Sequence, residues 1–445
     1  MFAIRCRIFQ TPTPDEVEIL DDVIVEVDGD VVSRVVAASE YRETVHVELP
    51  SDQVLVPGFV DLHIHAPQWP QLGTGYDVPL DEWLFEHTFP TEAQFADTEY
   101  ARQIWADMVP SLLSQGTTTA VYYGSIHLDA TTALAQACIT HGQRAWVGRT
   151  AMDHPTGTPD YYRDESPESA LAASSASIEA IEALDDPLGL VRPVITPRFI
   201  PACTDELLSA LGELASETGH LVQTHCSEND WEHGYVLDRH QMSDTESLDR
   251  FGLLREHTVL AHGCLLGDSD MDLIATAGAG VAHCPLSNIY FGDAVFPLRR
   301  AMERNVRVGL GTDIAGGPSP SLIGQAARAI DVSRHLENGV DQRLDPAARG
   351  VDHSRITATT AFHLATLGGA EVLGAPVGLI EPGRKFDAVA VSLDRIDNVP
   401  GGDRPMHQFE KLVRLGGASD IAAVWVGGEQ VSGERSWASK AGVGN

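Results

Sequence analysis

Pro57-Gly58-Phe59-Val60-Asp61-Leu62-His63-Ile64-His65 is the stretch on which the reading of this chain turns. Its apolar residues read as a buried strand. His63 and His65 lie two apart at its end, so both imidazoles leave the strand on one side and can face one point. Neutral imidazole is the commonest protein ligand for zinc, and iron takes it too. Two histidines packed at a strand end would give the same local pattern, so the decision rests on the other strand ends.

Downstream, strand and helix patterns alternate, as a parallel barrel requires. Eight strand candidates span 54–64, 118–124, 143–151, 190–199, 220–225, 257–262, 279–284 and 306–313. Helical patterns lie between them, for example over 98–115 and 204–218, and the Ala/Ser-rich run 169–180 reads as an exposed helix. Both chain ends are strand-rich. Residues 23–27 alternate ahead of the turn Asp28-Gly29-Asp30, and 386–391 and 421–426 have the same character. The expected class is therefore α/β: a (β/α)8 TIM barrel over 57–376, with a small β-sandwich domain formed from both chain termini, 1–56 and 377–445.

His225 ends the fifth strand candidate, His262 the sixth and Asp313 the eighth. Functional groups of such barrels come from the C-terminal ends of several strands. Four strand ends bearing metal-ligand residue types are hard to explain by packing, although each alone would more often be structural. Glu228 follows His225 by three residues, where a loop would carry its carboxylate over a metal without ligating it. A hydrolytic site needs such a carboxylate to move protons; without the histidine, a solvated loop acid would be the simpler reading.

Composition narrows the partners. The 445 residues carry a formal charge of −34, which disfavours a polyanionic nucleic acid. The six cysteines are scattered with no CxxC pair and read as reduced thiols, with Cys226 and Cys284 as barrel packing residues. No apolar run reaches membrane-spanning length and residues 1–10 do not read as a signal peptide, so a cytoplasmic location is expected. The small zinc deaminases pair an HxE motif with PCxxC, and this pair does not occur, since PCxxC is absent.

These residues resemble the amidohydrolase superfamily and, within it, the guanine deaminase family. The likeness runs from about 56 to 391. It rests on the 57–65 stretch, on Ala66-Pro67-Gln68, Pro79-Leu80-Asp81-Glu82-Trp83-Leu84 and Thr88-Phe89-Pro90, and on Gly116-Thr117-Thr118-Thr119-Ala120. Thr196-Pro197-Arg198-Phe199, Ala261-His262-Gly263-Cys264 and Gly311-Thr312-Asp313 add to it. The resemblance implies metal ligands His63, His65, His225 and Asp313, and one Zn2+ per subunit with Fe2+ as the alternative. It implies Glu228 as proton shuttle, and His262 holding or polarising the water or the substrate. Asp313 would also accept a proton from that water. Gln68, Arg198 and Phe199 fall where the family contacts the purine; otherwise Arg198 would be a surface residue and Phe199 a core one. Binuclear relatives often bridge two metals through a carbamylated lysine on the fourth strand. The fourth candidate here has no lysine, since all three lie at 385 or beyond, which favours a mononuclear site. The implied activity is deamination of guanine to xanthine and ammonia by a small-molecule enzyme, a homodimer, without nucleic-acid or membrane partners. A related heterocycle (8-oxoguanine, a pterin or a triazine) or a non-catalytic barrel subunit are the competing readings. Leu286, Pro318 and Pro320 depart from the family pattern near the barrel mouth.

Overall fold

The structure, a computed structural model, describes residues 1–292 and 294–433. The N-terminal strands β1 (Phe2–Thr13), β2 (Glu16–Asp28) and β3 (Val31–Ala37) form an antiparallel meander. Gly29, at φ +62°, makes the β2–β3 turn. β4 (Val47–Glu48) and β5 (Gln53–Pro57) then run parallel to β1.

The strand candidate 54–64 divides. β5 stays with the terminal sheet, and β6 (Phe59–His65) enters the barrel. The break falls at Gly58, where a Cβ would sit 2.1 Å from Thr118 Oγ1 and whose N–H donates to the Asp387 carbonyl. Only glycine lets the chain leave one sheet for the other at that approach.

The barrel continues through β7 (Thr117–Tyr123), β8 (Arg144–Gly148) with its short extension β9 (Thr150–Ala151), and β10 (Val191–Pro193) with β11 (Thr196–Pro197). It is completed by β12 (Gln223–Cys226), β13 (Val259–His262), β14 (Gly280–His283) and β15 (Arg307–Leu310). All neighbours in this series pair in parallel. The two halves meet at the parallel bridges Ile195–Val222 and Ile64–Ile314, which close the ring. Eight parallel positions, each followed by a crossing segment, make the (β/α)8 arrangement.

The connecting helices pack by their apolar stripes. In Asp205–Thr218 the buried residues Leu207, Leu208, Leu211 and Ala215 recur at helical spacing. Thr204 caps its start by accepting from Leu207 N, and Gly219 ends it at φ +72°. Each buried leucine contributes about 1.5–3 kcal/mol relative to exposure. The Ala/Ser-rich run forms the helix Pro167–Glu182. It is amphipathic rather than exposed: Ala170, Ser174, Ser177, Ile178 and Ile181 are buried, because small side chains allow close approach.

After the barrel, β16 (Ala388–Ser392), β17 (Ile421–Val426) and β18 (Glu429–Gly433) return to the terminal sheet. The hydrogen-bonded order is β18-β17-β16-β5-β1-β2-β3, with β4 beside β1. This is one sheet curled on itself. Val32 N donates to the Arg384 carbonyl at 2.9 Å, and Val25, Val27, Val32, Phe386, Ala388 and Trp425 share one core. The packing is sandwich-like, while the hydrogen bonding is continuous. Arg144 of β8 ties barrel to sheet through Asp387, at 2.8 and 3.1 Å, and Asp387 also accepts from Gly427 N. Among the described residues, no helix is long and apolar enough to cross a membrane.

Candidate active site and metal centre

The C-terminal ends of the barrel strands converge on one buried cluster. His63 and His65 leave β6 on the same side, with ring centroids 4.8 Å apart. His225 arrives from β12, its Nε2 3.0 Å from His65 Nε2. Asp313 lies three residues beyond β15. It is held because the β15–β6 pairing runs on: Asp313 N donates to the His63 carbonyl, and His65 N to the Ile314 carbonyl. Its Oδ1 stands 3.1 Å from His63 Nε2 and 3.6 Å from His65 Nε2. The potential ligand atoms of His63, His65 and His225 lie within 4.8 Å of one another, as do those of His63, His262 and Asp313.

The surroundings decide which atoms face inward. His225 Nδ1 donates to the Arg198 carbonyl at 2.5 Å, leaving the Nε2 lone pair towards the cluster. Burial lowers the pKa of His63, His65 and His225 well below the usual histidine range, and neighbouring positive charge adds to it, so all three imidazoles are neutral. Burial also raises that of Asp313, against the opposing effects of His262 and the hydrogen bond from Ser287 Oγ at 2.5 Å.

Three neutral imidazoles beside a carboxylate suit a divalent transition metal. One observation supports that fit. His63 Nε2 is fully buried and makes no hydrogen bond, despite Asp313 Oδ1 at 3.1 Å. A buried ring nitrogen without a partner is costly, and an ion would satisfy it.

Beneath the cluster, Asp61 accepts from Thr312 N, Thr312 Oγ1 and His63 N. It thereby locks the strand bearing both histidines to the segment bearing Asp313. Asp313 (φ +49°) and His262 (φ +74°) adopt the left-handed region. Such positions cost about 1–3 kcal/mol each and concentrate at functional sites.

Glu228 lies beyond β12, 5% exposed, with Oε1 3.7 Å from His262 Nε2. It is a buried acid, not a solvated loop acid. Its backbone N–H donates to Glu232 Oε2 at 2.8 Å, which sets where its side chain starts. His262 Nδ1 donates to Asn288 Oδ1 at 2.9 Å, turning its Nε2 towards Glu228 and Asp313.

A cavity opens above the cluster, with about 400 Å³ of empty space that includes its opening to solvent. His65, His225, His262, Asp313 and Glu228 form its floor, and Gln68, Arg198 and Phe199 stand in its wall. Arg198 is buried, not a surface residue, because Glu92 receives its guanidinium at 2.6 and 3.0 Å. Phe199 packs against His225 and Trp231 and also reaches the cavity. Leu80, Trp83, Leu84 and Phe291 close the apolar side. Leu286, Pro318 and Pro320 are absent from the cavity wall.

Sequence reasoning assigned no role to Glu92, Ser287, Asn288 or the Leu80–Leu84 wall. Glu92 carried one weak signal, an acid shortly after the apolar Phe89-Pro90. Cys226 and Cys284 are buried in the apolar core, and all six cysteines are free.

The amidohydrolase family model matches residues 54–431. The chain belongs to the amidohydrolase family. Within that family it is 36% identical to the probable guanine deaminase of Schizosaccharomyces pombe, over 96% of this chain and 82% of that one. It is also 36% identical to the guanine deaminase of Mus musculus, over 86% of this chain and 84% of that one. Among solved structures, the guanine deaminase of C. acetobutylicum, with guanine bound in its active site, superposes with a TM-score of 0.87 at 28% identity. That match covers 96% of this chain and 99% of that one. As an amidohydrolase the chain carries a metal-dependent hydrolase scaffold, and its possible metal site sits at the barrel mouth.

Proposed function

We propose that this amidohydrolase is a guanine deaminase, with His63, His65, His225 and Asp313 as ligands of one Zn2+ and Fe2+ as the alternative. What carries the reading is the meeting of a metal-type cluster, a buried carboxylate and a wall of amide, guanidinium and phenyl groups on one cavity. The similarity to guanine deaminases on both sequence and structure supports the substrate.

A divalent ion held at this site would acidify a water there towards neutral pH. The remaining chemistry falls to side chains. Arg198 and Gln68 bind the purine edge by directed hydrogen bonds, and Phe199 packs on its face. Leu80, Trp83, Leu84 and Phe291 exclude bulk water. That presents C2 of guanine to the cluster. As the water oxygen bonds to C2, Glu228 carries one of the water's protons to the ring nitrogen beside C2. It then carries the second, from the new hydroxyl, to the exocyclic amine; the C2–N bond breaks, and ammonia leaves with xanthine remaining. Asp313 Oδ2 and His262 Nε2, 4.0 Å apart, face the same point and hold the water's orientation. The catalytic unit is the barrel of 57–376, and the composite terminal domain is its support.

The test is ammonia release from guanine, 8-oxoguanine, a pterin and cytosine, at low and high salt, before and after chelation and zinc reconstitution. Zinc-restored release from guanine with xanthine as product supports the reading. Release confined to another ring moves the substrate, and none from any ring, with metal bound, overturns it. Light scattering tests the homodimer that the resemblance implies.

A further inference from the structure

Glu92 lies behind the cavity wall rather than in it, yet it touches both polar groups assigned to the purine edge. The short helix Phe89–Ala93 places it there, 1% exposed. Its Oε2 accepts from Arg198 Nη1 at 2.6 Å, and its Oε1 accepts from Arg198 Nη2 at 3.0 Å and from Gln68 Nε2 at 2.8 Å. Gln68 is fixed from its other side, where its Oε1 accepts from Ala315 N at 3.1 Å. The Arg198 guanidinium rests 5.0 Å from the centre of the Phe89 ring. One carboxylate therefore sets the orientation of an amide and a guanidinium together.

This arrangement has a geometric and an electrostatic consequence. Each group keeps further N–H donors for a ligand, since guanidinium has five and an amide two. Their directions are set before a ligand arrives, which lowers the cost of ordering them on binding. A lone buried Arg198 would favour an anion, but its charge is cancelled at contact distance by Glu92. With a divalent ion in place, the formal charges of the charged lining residues Glu228, Asp313 and Arg198, together with Glu92 and the ion, sum to zero. A neutral ring enters such a site without an uncompensated charge; an anionic ring does not.

We propose that Glu92 is the positioning residue of the purine-recognition wall: it locks Arg198 and Gln68 into one donor array and cancels the guanidinium charge, so that the cavity takes neutral purines and rejects anionic ones. The proposal rests on the guanine deaminase reading and names how that site selects its ligand.

The test starts from the unaltered, metal-loaded protein. Binding of xanthine is measured by calorimetry below and just above its own proton loss, with hypoxanthine, the weaker acid that keeps its proton to higher pH, as control. Xanthine affinity should fall about tenfold or more as the ring becomes anionic, while hypoxanthine affinity stays level. Equal binding of both xanthine forms overturns the proposal even where guanine is deaminated. Guanine neither bound nor deaminated would sink the functional reading itself, and the proposal with it.

Two variants separate charge from geometry. Glu92→Gln should raise KM for guanine by roughly 10- to 100-fold, with a smaller change in kcat and no change in metal content. It should also erase the discrimination against anionic xanthine. Glu92→Asp keeps the charge but draws the carboxylate back, so it should raise KM and retain the discrimination. Unchanged KM and unchanged discrimination in Glu92→Gln would overturn the assignment. Should Glu92→Gln fail to fold, the xanthine comparison on the unaltered protein still decides.

Discussion

Replacing Glu228 with Gln removes a proton carrier while barely changing volume. The side chain is 5% exposed, its Oε1 lies 3.7 Å from His262 Nε2, and its backbone is anchored by Glu232. Two roles give different magnitudes. If the carboxylate only formed a neutral hydrogen bond to the substrate, its loss would cost about 0.5–1.5 kcal/mol, less than or near tenfold in rate. If it moves protons, the loss is roughly 10²–10⁴-fold, or about 2.7–5.5 kcal/mol on the barrier. Glu228 is outside both sets of metal-type ligands, so metal content should not change. The assay pairs steady-state ammonia release with elemental analysis of the same sample. We expect kcat to fall by at least a hundredfold with metal retained. A fall of less than tenfold would refute the proton-carrier role. Metal loss would show that the carboxylate belongs to the metal centre instead.

Three further outcomes are expected. Gly311→Ala places a Cβ 2.8 Å from Cys284 Sγ and 2.9 Å from His63 Cβ. It should destabilise by about 1–3 kcal/mol and weaken metal retention, read by denaturant unfolding and by chelator competition; unchanged values for both would contradict the crowding. Arg144→Met strands the buried Asp387 carboxylate and should cost about 3–5 kcal/mol in urea unfolding, much of it regained in Arg144→Met/Asp387→Leu. A single-variant loss below 1 kcal/mol would count against this tie between barrel and sheet. His233 titrates above the ordinary histidine value of about 6.5, chiefly through its hydrogen bond to Asp244, with the charges of Asp244, Asp270 and Asp230 adding and burial opposing. Raised in the folded state, its contribution is fully present below that ordinary value and is lost as pH rises through the folded one. NMR titration of His233 should therefore give a pKa above 6.5, and stability in His233→Gln should lose that pH step; a value at or below 6.5 would refute the pairing.

Much of the fold was legible because its signals are local. Alternating strand and helix patterns located all eight barrel positions. The stretch 54–64 is the main exception, since it forms two strands rather than one. Periodicity sees an unbroken apolar run, and the switch at Gly58 shows only when Thr118 is found against it. The exposed helix read over 169–180 failed for a related reason, since alanine and serine can serve either a surface or a tight interface.

The candidate site was legible in part. His63 and His65 are neighbours through strand period alone. That His225 and Asp313 reach them was expected from strand order, because a closed parallel barrel brings every strand end to one rim. The tertiary structure decided what stands behind those residues. Glu92 is 106 positions from Arg198, and Asn288 is 26 from His262. No spacing rule links such residues, because hydrogen bonds across a cavity depend on where crossing segments land. By itself, then, the sequence determined the barrel, its metal-type residues and their common rim, all consequences of backbone periodicity. Which nitrogen faces inward, which charge is cancelled and what closes the cavity were decided only in three dimensions, where partners distant along the chain come into contact.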